Sequence, residues 1–388
     1  MTIRKMALLR REVLTIWRDR SLRNVLLVGA LLGFLLFMVV YSAQVITAIP
    51  TGIVDLDHSS ASRELIEYIS HTENLQVVAH PESFDDLKDL IGRGQLITGI
   101  VIPEHYGRDV SLGRQTRLLA IIDGSNMIYA TNASSAILTI DRTIAAGAGI
   151  ETMVAHGVQY SDAVAAYQTI DFRDEPWFNP ALNYAYFLVL GLALNIWQQC
   201  CTLSACMTVA GETGKASWLQ IRASGFSRLR LFACKVAVQV VAFLLVALPV
   251  YLLAMVSGIP LRCSFLTLFL FTAVFAVSLQ SLGTLMSSLM DNPINTTRFG
   301  MIIALPSFAL SGYTWPLESM PHWLQVAARL FPQTWFFQGL NYLTFKNPGW
   351  PFMDRFFLAL LVIAGVCYSA TALIISLRFG SRRVGRAV

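Results

Sequence analysis

The sequence predicts a polytopic α-helical membrane protein, six transmembrane helices with a mixed α/β external (periplasmic) domain inserted after the first. Three observations predict it. The 388 residues are 55% hydrophobic and only 14% charged, more apolar than a water-soluble core requires. Six apolar runs punctuate the chain. The charge is segregated: residues 48–180 hold 18 Asp and Glu against 8 Lys and Arg, and the remainder holds 21 basic and 6 acidic residues. Basic residues beside apolar runs are how membrane topology is written, whereas a nucleic-acid binder would cluster them on one folded face. No nucleic-acid role is expected.

Residues 1–23 interleave seven basic residues with Leu8, Leu9, Val13, Leu14, Ile16 and Trp17, which fits a cytoplasmic interfacial, or elbow, helix. The uncharged run Val25–Ile46, within residues 24–47, is long enough to cross about 30 Å of hydrocarbon at about 1.5 Å per residue. A cleavable signal peptide would have a shorter apolar region ending in small residues, so the run reads as an uncleaved first span. Five further runs lie within residues 181–378: Tyr184–Ala210, Val236–Ser257, Cys263–Met290, Phe299–Trp315 and Phe356–Leu377. The fourth of these is short and contains Pro306, with Tyr313 and Trp315 suited to an interface belt. A basic tail, 379–388, ends the chain. The alternating inner segments carry 17 Lys and Arg and the outer ones, apart from residues 48–180, carry four. This asymmetry places both termini in the cytoplasm and the acidic domain outside, in the inner membrane of a two-membrane cell.

In the external domain, 48–180, Thr51–Asp57 and Leu96–Pro103 are β-rich, Arg63–Ile69 is helical, and a second helix opens at Ser83. Ser83 and Asp86 have capping-box spacing, and Gly92 and Gly94 supply the stop. Arg117–Ile122 gives another strand, ending in a turn at Asp123–Asn126. The Ala-rich stretch onward to Tyr167 predicts one or two long helices.

Nothing in the chain carries a catalytic pattern, and it is expected not to be an enzyme. Gly211–Ser217, GETGKAS, approaches a phosphate-binding loop, but Val209 stands where the first glycine is needed and Ala216 replaces the magnesium-holding Ser or Thr. The six cysteines lie in or beside apolar runs without His partners and read as packing residues, so no metal site is expected. The external carboxylates and His match no hydrolase or metal spacing and read as solvated charge. No ionisable group lies near the middle of a run. Lys235, Asp291, Asp354 and Arg355 sit at span ends, where snorkelling relieves their cost. Gradient-driven transport normally needs such a group, so the energy for any transport is expected from another subunit. Among the neutral polar residues of the runs, Gln198, Gln199 and Gln280 are candidates for a translocation path, and helix–helix hydrogen bonding accounts for them equally well. In the loop 211–230, Glu212 stands at the span exit, and Trp218, Leu219 and Ile221 with Arg222 fit a short amphipathic helix. A partner-docking helix and a plain surface connector are both open.

GIVDLDHSSASREL, GRGQLITGIVIPEHYGRDVSLGR, IIDGSN, FNPALN (Phe178–Asn183) and LSGYTWPLESMPHWLQVAARLFPQTWF (Leu310–Phe336) occur in this order along nearly the whole chain. Together they resemble the membrane (permease) subunits of type-2 ATP-binding-cassette exporters that carry a large external domain between the first two spans. The resemblance implies a permease subunit that forms the translocation path and binds no cofactor itself, ATP and Mg being held by separate ATPase subunits. It implies a dimer with a second permease copy or a paralogue, contact with membrane lipid, and a periplasmic adaptor protein. The loop after span two becomes the coupling helix, with Glu212, Thr213, Gly214, Trp218, Leu219 and Arg222 facing the ATPase and Gly225 and Phe226 in its closing turn. Residues 317–345 become an outer re-entrant segment, with Glu318, Met320, Pro321 and Pro332. The chain departs from the family in having Thr213-Gly214-Lys215 and Ser224-Gly225 where relatives usually have a more charged stretch running into Gly-Thr and a Pro near the turn. The alternative function is a membrane-anchored receptor whose external domain binds a ligand.

Overall fold

A computed structural model of the chain describes residues 2–41, 46–167, 177–180, 183–214 and 228–380. It divides into two compact units, residues 1–44 with 176–388 and residues 45–175. The chain opens with α1 (Thr2–Arg18) and a short α2 (Arg20–Arg23). A π-helical turn (Asn24–Gly29) follows and runs into α3 (Ala30–Val40). Leu26, Ala30 and Phe34 recur at helical spacing and are buried, while Leu32, Leu35, Leu36, Val39 and Val40 are exposed, an apolar surface on both sides such as a lipid-facing helix shows. The helix stops at Val40, before the Ile46 limit expected from the apolar run. Ile46 instead packs into the core of the second unit.

That second unit is a four-stranded sheet with helices on both faces. Its elements are β1 (Ile49–Asp55), α4 (Ser60–Ser70), β2 (Leu75–Ala79), α5 (Phe84–Gly92), β3 (Thr98–Ile102), α6 (Tyr106–Ser111), β4 (Leu119–Ile122), α7 (Met127–Ala155) and α8 (Tyr160–Tyr167). The strand order is β2-β1-β3-β4, with β1 parallel to both neighbours and β4 antiparallel to β3. Side chains alternate between faces. Ile53, Ile100 and Ile102 join Leu65 and Ile69 of α4 and Ala133, Ala136 and Ile140 of α7, whereas Val54 and Val101 join Leu87 of α5 on the other side. Gly52 and Gly99 are paired in register, and a Cβ at either would overlap Leu87. The paired glycines therefore form the seat that lets α5 lie close on the sheet. Ser83 caps α5 as expected, accepting from the Asp86 amide at 3.1 Å, but its hydroxyl bonds the Asp86 carboxylate at 2.6 Å in place of the full reciprocal box. Strand β2 was not anticipated: it is a short edge strand on which only Leu75 is buried, and Gln76 and Val78 are exposed.

The larger unit continues with α9 (Tyr184–Gly214), α10 (Arg228–Val256), α11 (Phe265–Leu289), α12 (Pro293–Ala309), α13 (His322–Arg329), α14 (Pro332–Asn341) and α15 (Trp350–Gly380). Helix α9 is central, packing on α3, α10, α11 and α12, and α15 packs on α11 and α14. Trp197 of α9 is fully buried, with Phe271 and Phe275 of α11 and Phe336 and Phe337 of α14 around it. The Phe275 and Phe336 rings stack at 3.9 Å. Among the described residues four helical stretches are long and apolar enough to cross a membrane: Tyr184–Glu212, Leu231–Val256, Phe265–Leu289 and Trp350–Leu377. The other two expected spans fall on shorter helices, Asn24–Val40 and the 17-residue α12. Seventeen residues rise about 26 Å, just under a hydrocarbon core of about 30 Å. Helix α12 ends at Ala309, short of the expected Trp315, because the chain turns at Gly312 with φ +83°.

Candidate functional site

Three contacts bring the N-terminal helix against the C-terminal end of α9 and the N-terminal part of α10. Leu8 of α1 packs on Leu231 of α10. One helical turn further along each helix, on the same face, stand Glu12 and Lys235. Lys235 Nζ donates to Glu12 Oε2 at 3.0 Å and pairs with Glu212 Oε1 at 2.5 Å. Arg11 completes the ring, with Nη1 at 2.6 Å from Glu12 and Nη2 at 3.1 and 3.0 Å from the two oxygens of Glu212. The Glu12 and Glu212 side chains are 6% exposed and that of Lys235 is 9%. Charges this buried persist only when matched, and here two carboxylates meet two cations. Partial burial works against the Arg11 guanidinium, yet the hydrogen bond and charge of Glu212, with Glu12 behind them, outweigh it and raise its pKa above the ordinary value.

Glu212 was expected at the mouth of a coupling loop, and it sits in the last turn of α9, immediately before Thr213 and Gly214, which close that helix. Trp218, Leu219, Arg222, Gly225 and Phe226 lie outside the described residues. Lys235 corrects the reading from sequence: its ammonium does not snorkel outward but turns inward to two carboxylates. The partners Arg11 and Glu12 were missed. The available signal was that Glu12 is the sole acid within the basic first 18 residues, and Glu212 the sole acid between Glu175 and Asp291.

Above this ring a cavity of about 500 Å³ opens between the N-terminal helices and α9, α10 and α12. Leu22, Val25, Met207 and Met301 supply apolar wall, and Ser204, Thr208 and Gln239 supply polar groups. The Ser204 hydroxyl is buried without a hydrogen-bond partner.

The glutamines proposed for a path separate into two clusters. Gln198, fully buried, donates to the Ala304 carbonyl of α12 at 3.2 Å and accepts from Gln333 of α14 at 3.1 Å. Gln199 is half-buried and bonds Asn195 on its own helix at 3.2 Å. Gln280, also fully buried, donates to Gln239 at 2.9 Å and accepts from the Tyr368 hydroxyl at 2.6 Å, while Thr208 donates to the same Gln239 oxygen at 2.9 Å. Within this chain Gln198 and Gln280 act as cross-links between helices. In the segment after α12, Glu318 is exposed in a single 3₁₀ turn, Leu317–Ser319, Met320 follows it and Pro321 caps α13. Pro332 is the buried first residue of α14. No group of three or more His, Cys, Asp or Glu that could hold a metal ion occurs among the described residues.

A profile of the ABC-2 family transporter proteins matches residues 20–374. Similar proteins of Escherichia coli strain K12 include the Probable multidrug ABC transporter permease YbhR, 24% identical over 320 residues, covering 82% of this chain and 83% of that one. The Inner membrane transport permease YhhJ is 24% identical over 369 residues, 91% of this chain and 94% of its own. The Probable multidrug ABC transporter permease YbhS is 27% identical over 176 residues, 45% of this chain, and the match spans about half, 47%, of that relative's length.

Proposed function

This chain belongs to the ABC-2 family of transporter proteins, and from that premise we propose that it is the membrane-spanning half of an ATP-driven exporter. It is a transporter permease subunit of the membrane, and its family implies association with ABC ATPase subunits. In the proposed arrangement the N-terminal helix lies on the cytoplasmic surface, α3, α9, α10, α11, α12 and α15 are six spans, both termini are cytoplasmic, and the sheet unit stands outside. Two chains, or this chain and a paralogue, face each other, and a periplasmic adaptor protein meets the external side. The re-entrant stretch with Glu318, Met320, Pro321 and Pro332 forms the outer exit, and Gln198, Gln199 and Gln280 line or brace the path. The relatives named as multidrug permeases favour drug-like cargo.

The observation that carries this reading is the grip on Glu212. Arg11 and Lys235 hold its buried carboxylate at the point where α9 gives way to the loop expected to receive the ATPase. A push on that loop is therefore transmitted at once to α1 and α10 through matched charges. ATP and Mg act on the partner subunit, and this chain contributes the lever.

The test is Glu212→Gln and Trp218→Ala in proteoliposomes with the co-purified ATPase. ATP hydrolysis should persist while transport falls at least about tenfold, a loss of about 1.4 kcal/mol of coupling. Full transport by both variants would refute the role.

A further inference from the structure

Three cations lie on a ladder of aromatic rings at the end of the bundle where α10 gives way to α11 and α15 begins. Arg262 stands in the connection before α11, Lys346 closes a π-helical turn, Tyr342–Lys346, and Arg355 lies in the second turn of α15. The Arg262 amide donates to the Thr344 carbonyl at 3.1 Å, which ties the two connections together. The Arg262 guanidinium carbon and the Lys346 nitrogen sit 5.5 and 5.8 Å from the centre of one ring, that of Phe178. Lys346 is also 5.2 Å from Tyr342, whose ring meets Phe352 and Phe356 at 4.6 and 5.9 Å, and Arg355 lies 4.0 and 4.8 Å from those two. Phe178 holds φ +72°, a backbone conformation that a bulky residue adopts only where its surroundings fix it. Arg262 Nη2 donates to its carbonyl at 3.3 Å.

All three cations are exposed, and among the described residues none takes part in an ion pair. Asp354 is the sole acid in residues 177–180, 257–264 and 342–356, and it accepts from the Arg355 amide. The patch therefore carries an excess of positive charge with nothing in the chain against it. A ring covers one side of a cation and uses none of its hydrogen-bond donors, so the donors of Lys346 stay open to an anion. Trp177, Val256, Leu266 and Trp350, close by in the same connections, are 74%, 86%, 67% and 60% exposed, an apolar and aromatic rim suited to a membrane interface. We propose that Arg262 and Lys346, gathered on Phe178, bind the phosphate of an anionic phospholipid whose acyl chains lie along that rim. Charge sets the class, because a zwitterionic headgroup would bring its own cation against the excess. The rim sets the source, because a free phosphate ion gains nothing from exposed apolar surface. This inference rests on the membrane placement of the helices and not on the exporter reading.

The experiment is native mass spectrometry of the full chain in mild detergent, titrated with phosphatidylglycerol and separately with phosphatidylcholine. The first phosphatidylglycerol should bind about thirtyfold more tightly than the first phosphatidylcholine, the worth of two basic side chains at a charged lipid surface. Lys346→Gln should cut that preference about fivefold, and Arg262→Gln with Lys346→Gln should erase it. The exchange Arg262→Lys with Lys346→Arg keeps both charges and should keep most of the preference, which separates lost charge from lost packing. Equal binding of the two lipids by the unaltered protein, an unchanged preference in the charge-removed double variant, or an equal loss in the charge-keeping exchange would overturn the proposal. So would a matching loss from Arg10→Gln with Arg18→Gln, two exposed cations of α1, or displacement of the lipid by an equal concentration of inorganic phosphate.

Discussion

Lys235 and Glu12, 223 residues apart in the chain, meet at 3.0 Å with side chains 9% and 6% exposed. Because each is buried, removing one leaves the other's charge uncompensated, whereas removing both leaves the Arg11 and Glu212 pair intact. Lys235→Met should therefore destabilise the protein by about 3 kcal/mol or more, and Glu12→Leu similarly. The double variant should lose less than either single one, a coupling of at least about 1 kcal/mol. Chemical denaturation of the purified protein followed by tryptophan fluorescence checks this. Additive losses would mean that the pair contributes little.

The Gln280 cross-link predicts a second asymmetry. Gln280→Leu takes the nearer acceptor from the Tyr368 hydroxyl, leaving it the Val277 carbonyl at 3.3 Å, and removes a donor from Gln239, and should cost about 1–2 kcal/mol. Gln199→Leu, at a half-buried site with one bond inside its own helix, should cost less than about 0.5 kcal/mol. Thermal midpoints measured side by side decide between a bracing and a dispensable role for each.

Apolar runs, β-rich runs and the Ser83 cap were legible because each is a local pattern of composition or spacing. The long helices around Trp197 and the strand carrying Ile53 and Val54 follow from such patterns, whereas the face each of those two residues takes is set by the helices that cover the sheet. Strand β2 was hidden because it is an edge strand with only Leu75 buried. The ion ring was hidden for a different reason. Lys235 at a span end has two physical options, outward to water or inward to a carboxylate, and only the long-range packing of Leu8 on Leu231 chooses. Glu212 could be singled out by its isolation in sequence, but its partners lie more than 200 residues away in one case, beyond any periodicity argument.

In the sheet unit, Asp57 gives a pH prediction. The Ser59 hydroxyl and then the Gly107 amide, at 2.9 Å, donate to its carboxylate and hold its pKa below the ordinary carboxylate value. A depressed folded pKa contributes stability that is fully present above the unfolded value, about 4, and is lost as pH falls through the folded pKa. Asp57→Asn cannot titrate, so the gap in thermal midpoint between it and the unaltered protein should be widest near pH 7 and close below about pH 4. A gap that is constant across that window would show that the carboxylate's charge is immaterial there.

Helices α9 and α11 are in close contact where Gly283 faces Ala205. A Cβ at Gly283 would overlap that of Ala205 and lie 3.2 Å from its carbonyl carbon, and neither backbone has a flexible end to yield. One turn on from Gly283, Ser287 Oγ accepts from the Val209 and Ala210 amides at 3.0 and 2.9 Å and donates to the Cys206 carbonyl at 2.5 Å. Widening the crossing by a methyl therefore also stretches these bonds. Gly283→Ala should cost about 2–3 kcal/mol, the overpacking penalty with part of a hydrogen-bond loss added, despite the higher helix propensity of alanine. Ser287→Ala alone should cost about 1 kcal/mol. Pairing Gly283→Ala with Ala205→Gly moves the methyl across the same gap and should restore most of the loss. Failure of that exchange to rescue the thermal midpoint would place the role of Gly283 in backbone freedom and not in close helix approach.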